Sequence, residues 1–310
     1  MVPPRERRTV LGVDEWVRRY AAELASAATP APPVRWVTTP AGARLAFVGG
    51  AVLKLHHERT ERTALTARVT AACESSLASV FVPPLTPEVV PAPDGSLVTA
   101  WPEVGVLGVA DAIPWPDVGK LLARLHRLPV PATLPAHVAS DRLGRAVERA
   151  RALPDEADRD LLVRLGERLL REVRKVAGRT ERAQRHTAEL AGTRVSSVVH
   201  GDFHLGQVGS WEGGWRLLDL DDVGVGDPAW DLARPAGFWA AGLLGDREWA
   251  EFLDGYRGAG GPAVPATGDP WPPLDLAARC AVQVAAVRVL SRPVHSDLTA
   301  DALLAACRRM

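Results

Sequence analysis

The hydrophobic period of this chain changes once, near Pro102, and that single change limits the folds open to it. Between Val34 and His56 lie the short β-like runs RWVTT, ARLAFV and AVLKLH, broken at Pro40, Gly42 and the Gly49-Gly50 pair. Runs of this length with such punctuation predict a meander. A helix over 59–79, a proline-rich extended stretch over 83–93 and the strand SLVTAWP after the Asp94-Gly95 turn complete the first third. An amphipathic helix over 14–28, with Trp16, Tyr20 and Leu24 on one face and Asp14 as an acidic cap, precedes the strands. Beyond Trp101 the apolar residues take helical spacing, in GKLLARLHRL, over 157–177 and in the segments after Asp231. The expectation is an α+β protein of two lobes: a small β-rich lobe over 1–101 and a larger, mainly helical lobe over 102–310. The Pro/Gly-rich stretch 258–273 reads as a surface loop between late helices.

Composition removes several classes of function. Lys and Arg number 37 against 37 Asp and Glu, so no basic surplus marks a nucleic-acid partner. No apolar run approaches the ~18 residues of a membrane span, and the charged N-terminal stretch has no signal-peptide core. Cys73, Cys280 and Cys307 are far apart in the sequence and fit no metal-ligand spacing. A cytoplasmic protein without nucleic-acid or membrane partners is expected, its oligomeric state left open. The Arg/Glu helix around 164–174 carries mixed signs at i,i+3 and i,i+4, as a solvated face does. Only Lys54, Lys120 and Lys175 are lysines, so a lysine on an apolar strand, as Lys54 is, stands out.

One segment carries the chemistry: VVHGDFHLGQVGSWEGGWRLLDLDDVGVGDPAWDLA, from Val198 to Ala233. Between His200 and Asp231 it holds seven acids against one base, Arg216. Carboxylates at the ends of short strands suit a hard cation, since Mg²⁺ takes oxygen ligands and keeps waters that a phosphate can replace. Asp202, Gln207 and Asp219 form such an oxygen-rich set. Asp222, Asp227 and Asp231 also fit structural roles in turns and caps, with Asp227 ahead of Pro228 placed to cap the next helix.

HGDFHLGQ followed by LLDLDDVGVGDPAWDLA resembles the catalytic core of the aminoglycoside phosphotransferase family, which is similar in fold to protein kinases and choline kinases. Smaller landmarks recur in order: AVLKLH, ERTERTALTAR, LVTAWP, the LLARLH helix and FLDGYR. The resemblance implies a bilobal protein-kinase-like fold and phosphoryl transfer from ATP, with Mg²⁺, to a hydroxyl of a small molecule. It makes Asp202 the aspartate that accepts or orients the acceptor's proton, and Asp219 the Mg²⁺ ligand between the β- and γ-phosphates. Gln207 stands where the family has a metal-binding asparagine, one methylene longer, which leaves open whether one or two metal ions bind. Lys54 becomes the lysine on the α/β-phosphates, with Glu61, chosen over Glu58 and Glu74, as its acidic partner. Adenine lies along Thr99, Ala100 and Trp101. His200 organises the catalytic loop and His204 supports it. The family's Gly-rich phosphate loop is reduced to Thr38-Thr39-Pro40-Ala41-Gly42.

Two other readings compete. His200, Asp202 and His204 with Asp219 and Asp222 could hold zinc or manganese in a metal-dependent hydrolase, and the weak phosphate loop with Gln207 would suit a catalytically silent nucleotide-binding protein. The acceptor remains open among aminoglycosides, sugars and amino alcohols, with the local acids favouring a cation. Trp239, Glu251 and Tyr256, after Asp231, are expected to form its wall by position.

Overall fold

The runs between Arg35 and Leu55 do pair as a meander in the computed structural model, which describes residues 4–24, 33–39, 42–108, 111–187, 196–292 and 297–310. In chain order the first elements are α1 (Pro4–Leu24), β1 (Arg35–Thr38), β2 (Arg44–Val48), β3 (Ala51–Leu55), α2 (Arg62–Cys73) and α3 (Ser75–Ala78). Then come β4 (Val90–Pro91), β5 (Leu97–Pro102), β6 (Gly105–Val106), α4 (Trp115–His126), α5 (Ala139–Ala150) and α6 (Glu156–Thr187). The strands β7 (Ser197–Val199), β8 (Val208–Trp211), β9 (Gly214–Leu217) and β10 (Gly224–Gly226) follow. Four helices close the chain: α7 (Ala229–Ala240), α8 (Asp246–Gly258), α9 (Trp271–Leu290) and α10 (Asp297–Arg308). Two compact units result: Met1–Ala110 with Pro131–Pro135 and Gly206–Asp221, and Asp111–Val130 with Ala136–Leu205 and Asp222–Met310. The crossing expected near Pro102 thus falls after Ala110, and two later segments return to the first unit.

The first unit is built on a five-stranded antiparallel sheet in the order β1-β2-β3-β5-β4. Val13, Val17 and Ala21, one turn apart along α1, pack on Ala46, Val48, Leu53, Leu55 and Val98 of the sheet. The expected face is thus partly right, with Trp16, Tyr20 and Leu24 flanking that core. The helix starts earlier than expected, at Pro4, where a proline in the first turn costs no hydrogen bond. Asp14 lies inside it and accepts from Trp36 Nε1 at 2.8 Å, so it caps nothing; 25–28 of the expected helix lie outside the described residues. The helix expected over 59–79 is two helices, parted at Glu74, whose extended backbone (φ −72°, ψ 143°) ends α2 and begins α3. A small antiparallel sheet, β6-β8-β9, joins the unit through Leu217, which exchanges backbone hydrogen bonds with Val80 and Val82.

The second unit is helical. Leu162, Leu165, Leu169 and Val173 of α6 share a core with Cys280, Val282, Ala286 and Val287 of α9 and with Leu303 and Cys307 of α10. Burial pushes the Cys280 and Cys307 thiols up to about 12, so both act as small apolar side chains. Helices α4 and α8 meet backbone to backbone: a Cβ on Gly119 would stand 2.1 Å from the Phe252 carbonyl oxygen, and one on Gly255 2.1 Å from that of Pro116. The 258–273 loop does lie between α8 and α9. Among the described residues no helix is long and apolar enough to cross a membrane.

Candidate active site

Alternation along β3 sends Leu53 and Leu55 beneath α1 and Lys54 to the opposite face. Thr99, its cross-strand partner on β5, faces the same way. On that face the Lys54 ammonium stands 2.7 Å from Asp219 Oδ1 and 2.8 Å from Asp221 Oδ2, its side chain only 9% exposed. Burial works against the ammonium's charge, but the two carboxylates outweigh it, and the pKa is raised. Burial likewise opposes ionisation of Asp221, and Lys54 and His56 reverse that, so its pKa is lowered. Thr99 Oγ1 accepts from Trp101 Nε1 at 2.8 Å and lies 2.8 Å from His56 Nε2. A hydroxyl has one proton and two acceptor lone pairs, so this bond fits either His56 tautomer, and the other ring nitrogen is Nδ1. That nitrogen lies 3.0 Å from Asp221 Oδ1 but is not aligned as a hydrogen bond, and both buried atoms lack a hydrogen-bond partner.

A hairpin brings Gln207 to Asp219. Glu212 and Gly213, at φ 49° and 74°, give the doubly positive turn that suits two-residue hairpins, and Val208 pairs with Leu217. Gln207 Nε2 then lies 3.4 Å from Asp219 Oδ2. Asp219 itself is held at φ 64°, a left-handed backbone that non-glycine residues adopt at a cost and that concentrates at functional positions. Its Oδ1 accepts from the Asp221 N–H at 3.0 Å.

One expectation on this face needs correction. Glu61 does not partner Lys54: it is the N-cap of α2, accepting from Thr63 N at 2.9 Å and Ala64 N at 2.6 Å, and Asp221 takes the role assigned to it. Those backbone bonds lower its pKa. Ala100 of the expected adenine-binding stretch already accepts from Leu85 N at 2.9 Å. In the reduced phosphate loop Thr39 Oγ1 accepts from Ala43 N at 3.1 Å, while Pro40 and Ala41 lie outside the described residues. The donor set suits Mg²⁺: two carboxylates, an amide whose oxygen a flip would present, and a buried Asp221 Oδ1 with no hydrogen-bond partner. Mg²⁺ needs only one or two carboxylates when waters and phosphate complete its shell.

The second unit carries the loop expected to be catalytic. β7 pairs with β10 and runs into His200-Gly201-Asp202. Gly201 has φ 80°, and a Cβ there would lie 2.3 Å from the Asp222 carbonyl oxygen, so glycine is required. Asp231, fully buried, holds this loop: it accepts from His200 N at 2.6 Å, Gly201 N at 2.8 Å and His126 Nε2 at 2.9 Å. His126 Nδ1 in turn lies 2.7 Å from Tyr256 Oη, which accepts from Ala263 N at 3.0 Å. That order puts the tyrosine proton on the His126 bond and the imidazole proton on Nε2. Burial opposes the Asp231 charge, yet the His126 and backbone bonds prevail and its pKa is lowered. Asp227 Oδ1 accepts from Ala229 N at 3.0 Å at the start of α7, the capping role expected of it.

Asp202 lies between two guanidiniums, with Arg142 Nη1 at 2.5 Å and Arg234 Nη2 at 3.0 Å. Burial would raise its pKa, but the arginine charges lower it on balance. Arg142 also reaches Asp222 at 2.5 Å. Burial first, then the Arg234 charge, push the His204 imidazole down to about 3. The hydrolase arrangement is not formed: among the described residues no group of three His, Cys, Asp or Glu side chains is placed to hold a metal, and arginines occupy the Asp202 carboxylate. The expected acceptor wall is also corrected. Tyr256 is fully buried, Trp239 stacks on Trp249 with centroids 5.7 Å apart and bonds Asp246, and Glu251 faces Arg247 at 3.9 Å. The pocket beside Asp202 is lined instead from α5, α7 and α9.

A family model described as the phosphotransferase enzyme family matches residues 112–271, just over half of the chain. The chain belongs to this family. It is thereby a phosphotransferase acting on the hydroxyl of a small molecule, and it shares the protein-kinase-like fold of the small-molecule kinases. A microcompartment-associated aminopropanol kinase is similar at 18% identity and TM-score 0.59, covering 95% of this chain and 94% of that one. A choline kinase from Streptococcus pneumoniae, 11% identical, covers 95% of this chain and 100% of its own at TM-score 0.58. Spectinomycin phosphotransferase in complex with ADP and spectinomycin is 14% identical, with 94% of each chain covered and TM-score 0.51. No curated protein sequence matches this chain significantly.

Five functional candidates escaped the sequence reading: His56, His126, Arg142, Arg234 and, as partner of Lys54, Asp221. His126 ends the LLARLH landmark, so its position alone could have pointed to it. The two arginines had no such signal among 34 arginines.

Proposed function

We propose that the protein transfers the γ-phosphoryl group of ATP to a hydroxyl of a small molecule, with Lys54, Asp219, Asp221 and Gln207 serving the nucleotide and its metal and Asp202 serving the acceptor. The observation that carries this is the buried Lys54 ammonium held at 2.7 and 2.8 Å by two carboxylates. Such a group exchanges partners readily when phosphates arrive, because one ammonium can neutralise phosphate oxygens while the acids turn to a cation. Asp219 and Asp221, with the Gln207 amide, would hold Mg²⁺, which when bound supplies charge neutralisation on the phosphates. The acceptor oxygen bonds to the γ-phosphorus as the bond to the bridging oxygen breaks, ADP leaves, and the hydroxyl proton passes by way of Asp202 to solvent. Because the flanking arginines keep Asp202 ionised and weakly basic, its main work is to orient the hydroxyl, and the transition state is reached largely through position. Nucleotide-bound relatives of the same fold support ATP as the donor.

The test is MgATP titration by calorimetry. Asp219→Ala should remove magnesium-dependent binding; unchanged affinity would transfer the metal role to Asp221 or Asp222.

A further inference from the structure

The pocket at Asp202 has the opposite charge from the one a cationic acceptor needs. It is lined by Arg142, Leu143, Asp202, Phe203, Trp230 and Arg234, among others. Ala281 and Val284 of α9 line it too, and Arg288 falls on that same helical face one turn further on. Two guanidiniums thus line the pocket, with the Arg288 charge acting on Arg234 and Asp202 from nearby, while Asp222, 37% exposed, leans to solvent. Arg142 spans both acids, whereas the single hydrogen bond of Arg234 goes to Asp202, leaving most of its five donors unused. Burial, with Arg142 and Arg288 repelling it, brings the Arg234 pKa down to about 10. The neighbouring His137 and His204 are held neutral, chiefly by burial, and add no charge. The acids that suggested a cationic acceptor, Asp219 and Asp221, belong to the Lys54 group of the other unit.

Asp202 already pairs with Arg142 and Arg234, but the remaining donors of Arg234 can take a second anion, and planar guanidiniums match carboxylate and phosphate oxygens in pairs. We infer that the acceptor is an anionic hydroxyl compound, whose carboxylate or phosphate docks on Arg234 and Arg288 while its hydroxyl lies on Asp202. This rests on the phosphoryl-transfer reading above and narrows it.

The experiment measures kcat and KM with ATP for glycerate and glucose 6-phosphate against ethanolamine and spectinomycin, in the wild type, Arg234→Gln and Arg288→Gln, with ADP and acceptor binding followed by calorimetry. The anionic acceptors should be preferred, and Arg288→Gln should raise their KM ~10-fold or more, the loss expected for one charge-assisted bond, while ethanolamine is unaffected. A preference for glycerate assigns the pocket to a carboxylate, and one for glucose 6-phosphate to a phosphate. Preference for ethanolamine or spectinomycin overturns the inference, as does an equal fall in kcat for all four acceptors, which would put the arginines on the transferred phosphoryl group. Failure of both anions to bind a protein that still binds ADP overturns it as well. Failure to bind ADP would instead sink the phosphoryl-transfer reading itself.

Discussion

In the strand-rich unit one ammonium, Lys54, sits between two carboxylates; in the helical unit one carboxylate, Asp202, sits between two guanidiniums. Both groups are largely buried and both are ion-paired, yet what each still lacks differs. The first leaves a carboxylate oxygen without a hydrogen-bond partner and is the place we propose for a cation. The second leaves arginine donors unused and is the place we propose for an anion. Charge counted along the sequence hid this, because the acids lie close together between His200 and Asp231 while the arginines come from α5 and α7.

The contrast breaks most visibly at Asp202. Asp202→Asn keeps the shape, removes the charge that orients the hydroxyl and should lower kcat by ~10²–10⁴ with ADP affinity retained. Steady-state kinetics beside ADP titration measure both, and a mutant keeping more than half of wild-type kcat would reverse the assignment. Next in size is Lys54→Met, which leaves two adjacent carboxylates, 31% and 33% exposed, without their ammonium and should cost about 1–2 kcal/mol of stability, less than a fully buried pair would lose. Urea unfolding with an unchanged m-value reads this, and added Mg²⁺ should recover part of the loss; a neutral mutant would mean that the acids do not depend on the ammonium.

The smallest effect concerns pH. The folded His204 imidazole titrates near 3 instead of its usual 6.5, so between those values the unfolded chain takes up a proton that the folded one refuses. Stability therefore falls as pH drops through that window, by about 1 kcal/mol at pH 6. His204→Gln should flatten the slope between pH 7 and 5, although His137, shifted in the same direction, keeps part of it. An unchanged slope would mean that the Asp202 loop opens before the histidine matters.

Lys54, Asp202, Gln207 and Asp219 could be read from the sequence because local patterns mark them: an apolar strand in a lysine-poor chain, a strand-to-loop H-G-D, and a hairpin ending in L-L-D. The strands of the meander were legible for the same reason. Glu61 was misplaced because a glutamate at a helix start serves a cap or a distant partner equally well, and only the Thr63 and Ala64 amides decide between them. Trp239 and Tyr256 were placed by order along the chain, which does not tell an inward-facing from a pocket-facing helical position. The extra length of α1 was missed because the expected helix starts at Asp14, and the charged residues before it count only as the absence of a signal-peptide core. Arg142 and Arg234 depend on how α5 and α7 pack, which no local pattern records.

For anyone wishing to redirect this catalyst to a new acceptor, the brace around Asp231 divides the unit into ground to leave alone and ground to vary. His126 of α4 is far in the chain from Asp231 of α7 and Tyr256 of α8, yet through one line of hydrogen bonds the three set where the His200 and Gly201 amides stand. A variant library that included them would mostly sample misplaced copies of Asp202. Leu143, Trp230, Ala277 and Ala281 line the pocket without joining that line, so diversity introduced there changes the shape and polarity of the proposed acceptor site while the Asp202 carboxylate keeps its address.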